Sequence, residues 1–501
     1  MIRNIPKIPR LFFNEKQSTN LSTHELLIKL GFLTNPKPGL NNWLPMGLLV
    51  LNKLKSIIRT NLNNHGCEEL SLSILSSADK WEKTGRWGNT ELFKLKDSSK
   101  SDYCLSPTSE EDITLLVKNQ ITSYKELPIT YYQVREKFRD EIRPRMGLLR
   151  AREFLMNDAY SFDVNEVQAM KSYNNMVSAY HEIFKSLKVP YVKADADSGD
   201  IGGDLSHEWH YPSVHGEDTL FKCEGCGSIS NIEMTKSAPP KNHKPIDDTK
   251  EYFYKDGDEI LKIVVPKDRE FEPKFLKVHY PQAEETDLTH ATKTVHDIRC
   301  DPEGLPLVLA QENDHCGHCS SPLKSFRAIE IGHTFYLGTK YTESLDFTLP
   351  VPIENSNGKT IDKHVVMGCY GIGISRIIAA VGDLKDDKGF KWPISICPWT
   401  VTLVTPPKFK SEDIILDVVE GLNDFRWDNR DIGLGNKIKQ SNLLGIPIVV
   451  IVGRNFPKVE VETRWDISSP ELESLGEKKD YKWIVHKDSL KQFLNILIKQ
   501  M

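Results

Sequence analysis

The segment Tyr131–Phe162 concentrates residues that could bind an anionic ligand. It reads YYQVREKFRDEIRPRMGLLRAREFLMNDAYSF and has arginines at 135, 139, 143, 145, 150 and 152. Guanidinium groups this close together repel one another on a bare protein surface, and a polyanionic ligand lying over them would offset that repulsion. The alternative is a charge-rich hairpin that faces solvent, as most charge runs do.

Two strands are predicted to position these arginines. Residues 132–139 nearly alternate, as expected of a half-buried strand, with Tyr132, Val134 and Phe138 on one side and Gln133, Arg135, Lys137 and Arg139 on the other. A charged loop, Asp140–Leu149, follows and contains Pro144 and Gly147. A second alternating run begins at Arg150. The pattern predicts an antiparallel hairpin.

Four cysteines form two CxxC pairs, Cys223–Cys226 and Cys316–Cys319. Two such pairs supply the four thiolates of a tetrahedral structural zinc site. The alternative is four thiols without metal, and His315 and His318 are less favoured ligands. The run DADSGDIGGDLSHEWH, residues 195–210, predicts a tight glycine loop near a ligand, but its HExH spacing disfavours a metal site because it differs from the HExxH pattern.

Composition limits the class of protein. The chain has 501 residues, 39% of them hydrophobic, and a formal net charge of −5. More than one domain is expected, no membrane span is predicted, and any nucleic-acid contact must come from local basic patches. The cysteine pattern favours a reducing compartment.

The N-terminus is basic, with Arg3, Lys7 and Arg10 before the first acidic residue, Glu15. This resembles a mitochondrial presequence, and we predict one at residues 1–18. Import into the mitochondrial matrix is therefore expected, and the alternative is a cytoplasmic protein with a frayed basic N-terminus.

The arginine-rich segment resembles motif 2 of class II aminoacyl-tRNA synthetases, and of prolyl-tRNA synthetases in particular. The similar residues are FRDE at 138–141 and REFLMNDAYSF at 152–162. The resemblance implies that Arg139 holds the α-phosphate of ATP, Glu141 meets the adenine amino group and Phe154 stacks on the base. Arg150 is a further predicted ATP contact. The catalytic residues implied are Arg139, Glu141 and Arg376.

Three other segments are similar to this family in the same order. CLSPTSEED, residues 104–112, leads into a helical run and has the pattern of a capping box. It also resembles the family's proline-binding loop, which implies proline contacts from Thr108 and Glu110. Both interpretations can hold together, because a cap would fix the loop that presents the ligand. In IEIGHTFYLGTKYTESL, His333 and Thr339 would face proline and ATP, while Tyr336 departs from the family's glutamine. VVMGCYGIGISRIIAAV, residues 365–381, is a poor dinucleotide-binding pattern but resembles motif 3, with a strand to Cys369 in the proline pocket, a helix from near Ser375, and Arg376 on the γ-phosphate.

The resemblance implies an α+β fold, with an antiparallel-sheet catalytic core, a small inserted domain and a C-terminal α/β anticodon-binding domain. The predicted boundaries are 19–235 and 316–391 for the core, 236–315 for a shortened insert, and 392–501 for the anticodon-binding domain. Gly39–Leu54 resembles motif 1, a proline-containing helix of the homodimer interface. Arg430, Lys437, Lys439 and Arg464 are candidates for contacts with tRNA bases.

The implied activity is that of a homodimeric ligase that activates L-proline with ATP and Mg²⁺ and transfers the prolyl group to tRNA(Pro). The short insert predicts that hydrolysis of mischarged alanyl-tRNA is lost. Two alternatives remain: a catalytically silent paralogue that binds tRNA or regulates another protein, and a synthetase for another small amino acid such as threonine or glycine.

Overall fold

The computed structural model describes residues 20–144, 147–203, 205–240, 243–353, 359–409, 412–419 and 422–501. They form two compact units: the first holds the chain up to Val189 together with Gly338–Met501, and the second is Pro190–Leu337. The presequence predicted at 1–18 lies outside the described residues. In the described part of the chain, no helix combines the length and apolar character needed to cross a bilayer.

The N-terminal part of the first unit mixes helices with short strands. Its elements are α1 (Thr23–Lys29), β1 (Leu33–Lys37), β2 (Leu40–Trp43), α2 (Pro45–Asn64), β3 (Glu68–Glu69), β4 (Leu75–Ser77), α3 (Ala78–Lys83), β5 (Phe93–Lys96), β6 (Asp102–Leu105), α4 (Glu110–Gln120), β7 (Ile129–Phe138), β8 (Glu153–Asp163) and α5 (Glu166–Ser186). The predicted hairpin is confirmed, because β7 and β8 pair antiparallel from Ile129 opposite Phe162 to Phe138 opposite Glu153.

The segment Gly39–Leu54, predicted as one helix, divides into strand β2 and the start of α2. Pro45 is the first residue of α2. A proline is well tolerated there, since the first N–H groups of a helix have no intrahelical partner. The residues before it pair with β1 in an antiparallel ribbon. The prediction was therefore wrong for the first part of the segment.

The second unit contains the strands on either side of the predicted insert and the insert itself. Its elements are β9 (Val192–Asp195), β10 (Leu205–Pro212), β11 (Asp218–Cys223), β12 (Ile229–Asn231), β13 (Ser237–Ala238), β14 (Thr249–Asp256), β15 (Glu259–Pro266), α6 (Pro273–Lys277), β16 (Glu284–Glu285), β17 (Lys293–His296), β18 (His315–Cys316) and β19 (Leu323–Gly338). Strand β19 pairs antiparallel with both β10 and β11.

The insert has a hydrophobic core of its own. Strands β16, β14, β15 and β17 form a four-stranded sheet in that order. Leu261, Ile263 and Val265 alternate on the inner face of β15 and pack with Phe271 and Leu276. Alternation of this kind is expected when one face of a sheet is buried.

The C-terminal part of the first unit completes the core and adds an α/β domain. Its elements are α7 (Lys340–Ser344), β20 (Thr348–Pro352), β21 (Thr360–His364), β22 (Val366–Gly373), α8 (Ile374–Val381), β23 (Lys385–Asp386), β24 (Gly389–Phe390), β25 (Val401–Val404), α9 (Glu412–Val419), β26 (Phe425–Asp428), α10 (Leu434–Leu443), β27 (Ile448–Ile451), β28 (Lys458–Thr463), α11 (Pro470–Glu473), β29 (Gly476–Lys479), β30 (Lys482–His486) and α12 (Lys487–Gln500). Strand β25 runs parallel to β26 and β27, and the remaining pairs are antiparallel.

The sheet of the first unit places the hairpin beside β22. Strand β22 pairs antiparallel with β8, and β3 pairs parallel with β7. Helix α5 packs on β8 and β22 through buried residues at helical spacing, among them Tyr173, Tyr180 and Phe184. The predicted order of strand and helix within residues 365–381 is confirmed, although the strand continues past Cys369 to Gly373.

Candidate active site

The loop before α4 and strand β22 each supply a hydrogen-bond donor to one carboxylate. The Thr108 hydroxyl donates to Oε1 of Glu110 over 2.7 Å, and the Cys369 thiol donates to the same oxygen over 3.3 Å. Glu110 is fully buried and is the first residue of α4, where the helix dipole favours a negative charge. The capping-box interpretation is wrong for this loop: Ser109 is the N-cap residue, but its side chain caps no helix N–H group among the described residues.

Arg86, which no motif in the sequence marks, also contacts this carboxylate. Its Nη1 lies 3.2 Å from Oε2 of Glu110 and 3.0 Å from Oε1 of Glu111. Burial opposes ionisation of Glu110, but the charge of Arg86 and the Thr108 hydrogen bond hold its pKa below the usual range. Burial, together with the charge of Glu110, raises the pKa of Glu111 to about 7.

A buried polar cluster on β7 and β8 contacts the loop before α4 through Ser109. Nζ of Lys137 lies 2.8 Å from Oδ2 of Asp158 and donates to Oγ of Ser109 over 2.6 Å. Gln133 and Tyr160 also donate to Asp158, each over 2.9 Å. Lys137 and Gln133 are 1% and 2% exposed. The side of β7 that carries Gln133 and Lys137 was predicted to lie outside the core. At these two residues the prediction was wrong, because both side chains are buried.

The hairpin brings the predicted ATP contacts together. The Arg139 guanidinium lies over the Phe154 ring, 5.3 Å from its centroid. Nε of Arg150 donates to Glu141 over 2.7 Å. Of the six arginines in this segment, Arg145 lies outside the described residues.

Residues from the predicted motif 3 join the hairpin. Nε of Arg376 donates to the carbonyl oxygen of Leu149, in the hairpin loop, over 3.1 Å. The Ser375 hydroxyl accepts the N–H of Leu155 over 3.0 Å. Burial and the charge of Glu110 raise the pKa of the Cys369 thiol well above its usual range, which is consistent with a lining residue and not with a nucleophile. Thr339 is the N-cap residue of α7, and its hydroxyl donates to Glu343.

His333 belongs to the second unit, on β19. Its ring stacks on the Phe335 ring, with 3.7 Å between the two centroids. Its Nε2 forms a hydrogen bond with the Ser206 hydroxyl, and its Nδ1 lies 3.5 Å from Oε1 of Glu330. Side-chain atoms of Glu208, Glu330 and His333 that are able to bind a metal ion lie within 4.8 Å of one another. Within the predicted glycine loop, Gly203 (φ +99°) packs closely on protein, since a Cβ there would lie 1.9 Å from the carbonyl oxygen of Tyr336. The ligand expected beside this loop stays a prediction.

The two CxxC pairs meet in the second unit. The sulfurs of Cys223, Cys226, Cys316 and Cys319 all lie within 4.8 Å of one another. A zinc ion with four Zn–S bonds of about 2.3 Å separates its sulfurs by roughly 3.8 Å, so this spacing fits tetrahedral zinc. Hydrogen bonds from the backbone N–H and hydroxyl of Ser321 lower the pKa of Cys319 to about 6, whereas burial raises the pKa of Cys223 to about 11. The spacing of the sulfurs is therefore the support for a metal site.

The C-terminal candidates for base contacts differ in accessibility. Lys437 is fully buried and donates to the carbonyl oxygens of Thr405 and Asp428. Arg464 is 8% exposed and donates to Asp386 over 2.7 Å. These two cations are bonded inside the protein, so their selection as base-contacting residues was wrong. Arg430 is paired with Asp428, and both Arg430 and Lys439 are half-buried.

Comparison with known proteins gives the family. Residues 93–384 match the model described as the tRNA synthetase class II core domain (G, H, P, S and T). The chain is 41% identical to the cytoplasmic proline–tRNA ligase of Candida albicans, over 99% of this chain and 99% of that protein. It is 39% identical to a probable mitochondrial proline–tRNA ligase of Saccharomyces cerevisiae, over 92% of this chain and 90% of that one. Identity to the proline–tRNA ligase of Aquifex aeolicus is 34%, over 90% of this chain and 95% of that protein.

A solved structure supports the predicted α+β fold. The prolyl-tRNA synthetase from Cryptosporidium parvum, complexed with L-proline and AMP, matches with a TM-score of 0.64 at 14% identity, over 98% of this chain and 77% of that one. At this identity the likeness concerns the fold, and the class II core architecture is confirmed. The curated relatives show the family as well as the fold, since they match almost the whole chain at 34–41% identity. The chain therefore belongs to the proline–tRNA ligase family of class II aminoacyl-tRNA synthetases.

Proposed function

We propose that this protein activates L-proline with ATP and transfers the prolyl group to tRNA(Pro). As a member of its family, the protein is an ATP-dependent aminoacyl-tRNA ligase. The choice of proline is supported by the proline–tRNA ligases that match almost the whole chain. The buried Glu110 carboxylate, with Thr108 and Cys369 around it, is the acceptor proposed for the amino group of that substrate. Glu110 and Glu111 share the single charge of Arg86, so a small ammonium group would balance the remaining negative charge.

The test is ATP–pyrophosphate exchange with each standard amino acid in turn. We expect rapid exchange with proline and slow exchange with the others. Exchange that depends on another small amino acid would show that the pocket was assigned to the wrong substrate. A protein without exchange for any amino acid would be a silent paralogue.

The ATP site is proposed to lie over the hairpin. Arg139 binds the α-phosphate, Glu141 meets the adenine amino group, Phe154 stacks on the base and Arg376 binds the γ-phosphate. The packing of Arg139 over Phe154 supports this arrangement. Arg150 and Thr339 are proposed as further ATP contacts.

The activation step needs positioning and charge stabilisation from these residues. A carboxylate oxygen of proline attacks the α-phosphorus, the bond to the β-phosphate oxygen breaks, and pyrophosphate leaves. Arg139 and Arg376 face the charge that develops on the phosphates. Mg²⁺ bound to ATP would supply further positive charge at these phosphates. Thr108, Glu110, Arg139 and Cys369 are proposed to hold proline. The role of His333 toward proline is proposed from the sequence resemblance alone.

Cys223, Cys226, Cys316 and Cys319 are proposed to hold a structural zinc ion. Their mutual spacing supports a tetrahedral site. Four protein ligands leave no open coordination position, so the ion would stabilise the fold and take no part in the reaction.

The insert, with proposed boundaries 236–315, is inferred to lack alanine editing. A proline pocket excludes the smaller alanine by only a few kcal/mol, which is why a second, hydrolytic site is a common remedy. The alignment with the Candida albicans relative extends over 572 residues against 501 in this chain, so that relative carries segments that this chain lacks. The test is the decay of preformed alanyl-tRNA(Pro). Release above the spontaneous rate that disappears on deletion of residues 240–310 would refute the proposal.

Assembly and location are proposed from the sequence. The resemblance of Gly39–Leu54 to motif 1 supports a homodimer, which light scattering can measure.

The C-terminal domain, residues 392–501, is proposed to bind the tRNA anticodon. The basic N-terminus supports mitochondrial import, and the relatives include both cytoplasmic and mitochondrial ligases. A reporter fused to residues 1–18 that stays in the cytosol would contradict import.

A further inference from the structure

Arg86 is enclosed by aromatic rings and by two carboxylates. Its guanidinium carbon lies 4.9 Å from the Trp81 ring centroid and 5.6 Å from that of Tyr341. Its side chain is 13% exposed, and those of Glu110 and Glu111 are 0% exposed. This packing leaves the guanidinium little freedom, so its bond to Glu110 fixes where that carboxylate points.

The charges around Arg86 do not balance in the absence of a ligand. One guanidinium faces two buried carboxylates, which leaves one negative charge when both are ionised. A net charge inside a protein is strongly disfavoured, and a proton on one carboxylate removes it. A substrate ammonium group beside Glu110 would remove it as well. A proton and the ligand therefore compete to neutralise the same site.

We propose that Arg86 is a positioning residue for the proline site, and that Glu111 is its second charge partner, which gives up a proton when the substrate ammonium binds. The inference rests on the proposed function, in which Glu110 accepts from that ammonium. Arg86 and Glu111 act through Glu110 and not on the reacting atoms.

The geometry assigns the two carboxylates different tasks. Glu110 accepts from Thr108 and Cys369 on Oε1, so it faces the residues proposed to line the pocket. Both oxygens of Glu111 face Arg86, at 3.0 and 3.3 Å, and Oε1 also accepts from Thr84 over 2.9 Å. Glu111 is therefore the carboxylate that can change its charge without losing a pocket contact.

The ionisable groups around Glu111 come from several elements. Its neighbours are Arg86 before β5, Glu110 on α4, Cys104 on β6 and Tyr341 on α7. Beyond them, the Lys80–Asp112 pair lies beside Cys104, and Cys369 on β22 lies beside Glu110. Burial raises the pKa of Cys104 to about 12 and that of Tyr341 well above its usual range. The pKa of Glu111, raised to about 7, lies close to neutral pH.

The direction of the pH effect follows from linkage. Below pH 7 Glu111 is protonated, and binding of a cation nearby favours its ionised form. Proline binding at that pH must therefore release a proton, and the apparent affinity for proline rises with pH until Glu111 is ionised. One linked proton changes the affinity by at most tenfold per pH unit.

The experiment measures the KM values for proline and for ATP by pyrophosphate exchange from pH 6 to 8. In the wild-type protein we expect the proline KM to fall several-fold as pH rises through about 7, with little change for ATP. Glu111→Gln should keep a high proline KM and lose the pH dependence, because glutamine mimics the protonated acid. Glu259→Gln, at an exposed position of the insert, is the control and should match the wild type.

Variants of Arg86 test the positioning role. Arg86→Gln should raise the proline KM by about tenfold or more and leave the ATP KM nearly unchanged, and Arg86→Lys should recover part of the loss. Thermal unfolding identifies variants that have not folded. Calorimetry of proline binding at pH 6.5, in two buffers of different ionisation enthalpy, should show proton release from the wild type and none from Glu111→Gln.

Different results would overturn the inference and the proposed function. If wild-type exchange depends on proline, but folded Arg86 variants change both KM values equally or Glu111→Gln keeps the wild-type pH profile, the inference fails and the function stands. If wild-type exchange does not depend on proline, the proposed function fails.

Discussion

Replacing Lys137 by methionine tests how the buried cluster under the proline-binding loop holds the fold. Lys137 and Asp158 are each 1% exposed and lie 2.8 Å apart. Removing one partner of a buried ion pair typically costs about 3–5 kcal/mol, since the other charge stays buried and unpaired. Asp158 would keep its hydrogen bonds from Gln133 and Tyr160. We therefore expect the lower end, a loss of about 3 kcal/mol in the free energy of unfolding.

The assay is urea unfolding of the wild type, Lys137→Met, Asp158→Asn and the double variant. The double variant removes both charges, so it should recover a large part of the stability that each single variant loses. Lys137→Met should also raise the proline KM, because the Ser109 hydroxyl, between Thr108 and Glu110, loses the donor Lys137 and keeps only the longer hydrogen bond from Gln133. A loss below about 1 kcal/mol, or a double variant that loses the sum of the single losses, would refute the reasoning.

Other predictions concern the arginines, the pocket carboxylate and the thiols. Arg139→Ala and Arg376→Ala should each slow proline-dependent exchange about a hundredfold, since each removes roughly 3 kcal/mol of transition-state stabilisation; near-normal exchange in both would contradict the ATP site. Glu110→Gln should raise the proline KM more than the ATP KM, and equal increases would mean that Glu110 has a structural role only. Changing Cys223 and Cys226 together to serine should remove about one zinc ion per chain and lower folding stability; wild-type protein that elemental analysis finds free of zinc would contradict the metal site.

The hairpin could be predicted from sequence because alternation of apolar and polar residues records which face of a strand is buried. The same reasoning misplaced Lys137 and Gln133, which are buried on the polar side. Their burial depends on Asp158, across the hairpin on β8, and on Ser109, in a loop well before it. A local pattern does not contain partners so distant in the chain.

Arg86 shows a second limit of sequence reasoning. Its role depends on two glutamates more than twenty positions later and on Tyr341, so no local spacing marks it. The adjacent acids Glu110 and Glu111 were the available signal, because two carboxylates buried at one helix start need a cation. The error at Gly39–Leu54 has a simpler cause: apolar residues beside a proline fit either a kinked helix or a helix that begins at that proline.

The meeting of the two CxxC pairs also determines how the insert can vary in length. The chain leaves this site at Cys226 and returns to it at Cys316, so the residues between them form a closed loop anchored at one point. The entropy of closing a flexible loop grows only with the logarithm of its length, and doubling the length costs about 0.6 kcal/mol. Residues could thus be gained or lost between the anchors with little effect on the folding of the residues outside them, provided that the sheet β16–β14–β15–β17 keeps or replaces its core. Sequence length within this loop is then under weak thermodynamic constraint, and relatives can differ there by whole segments while their remaining residues align.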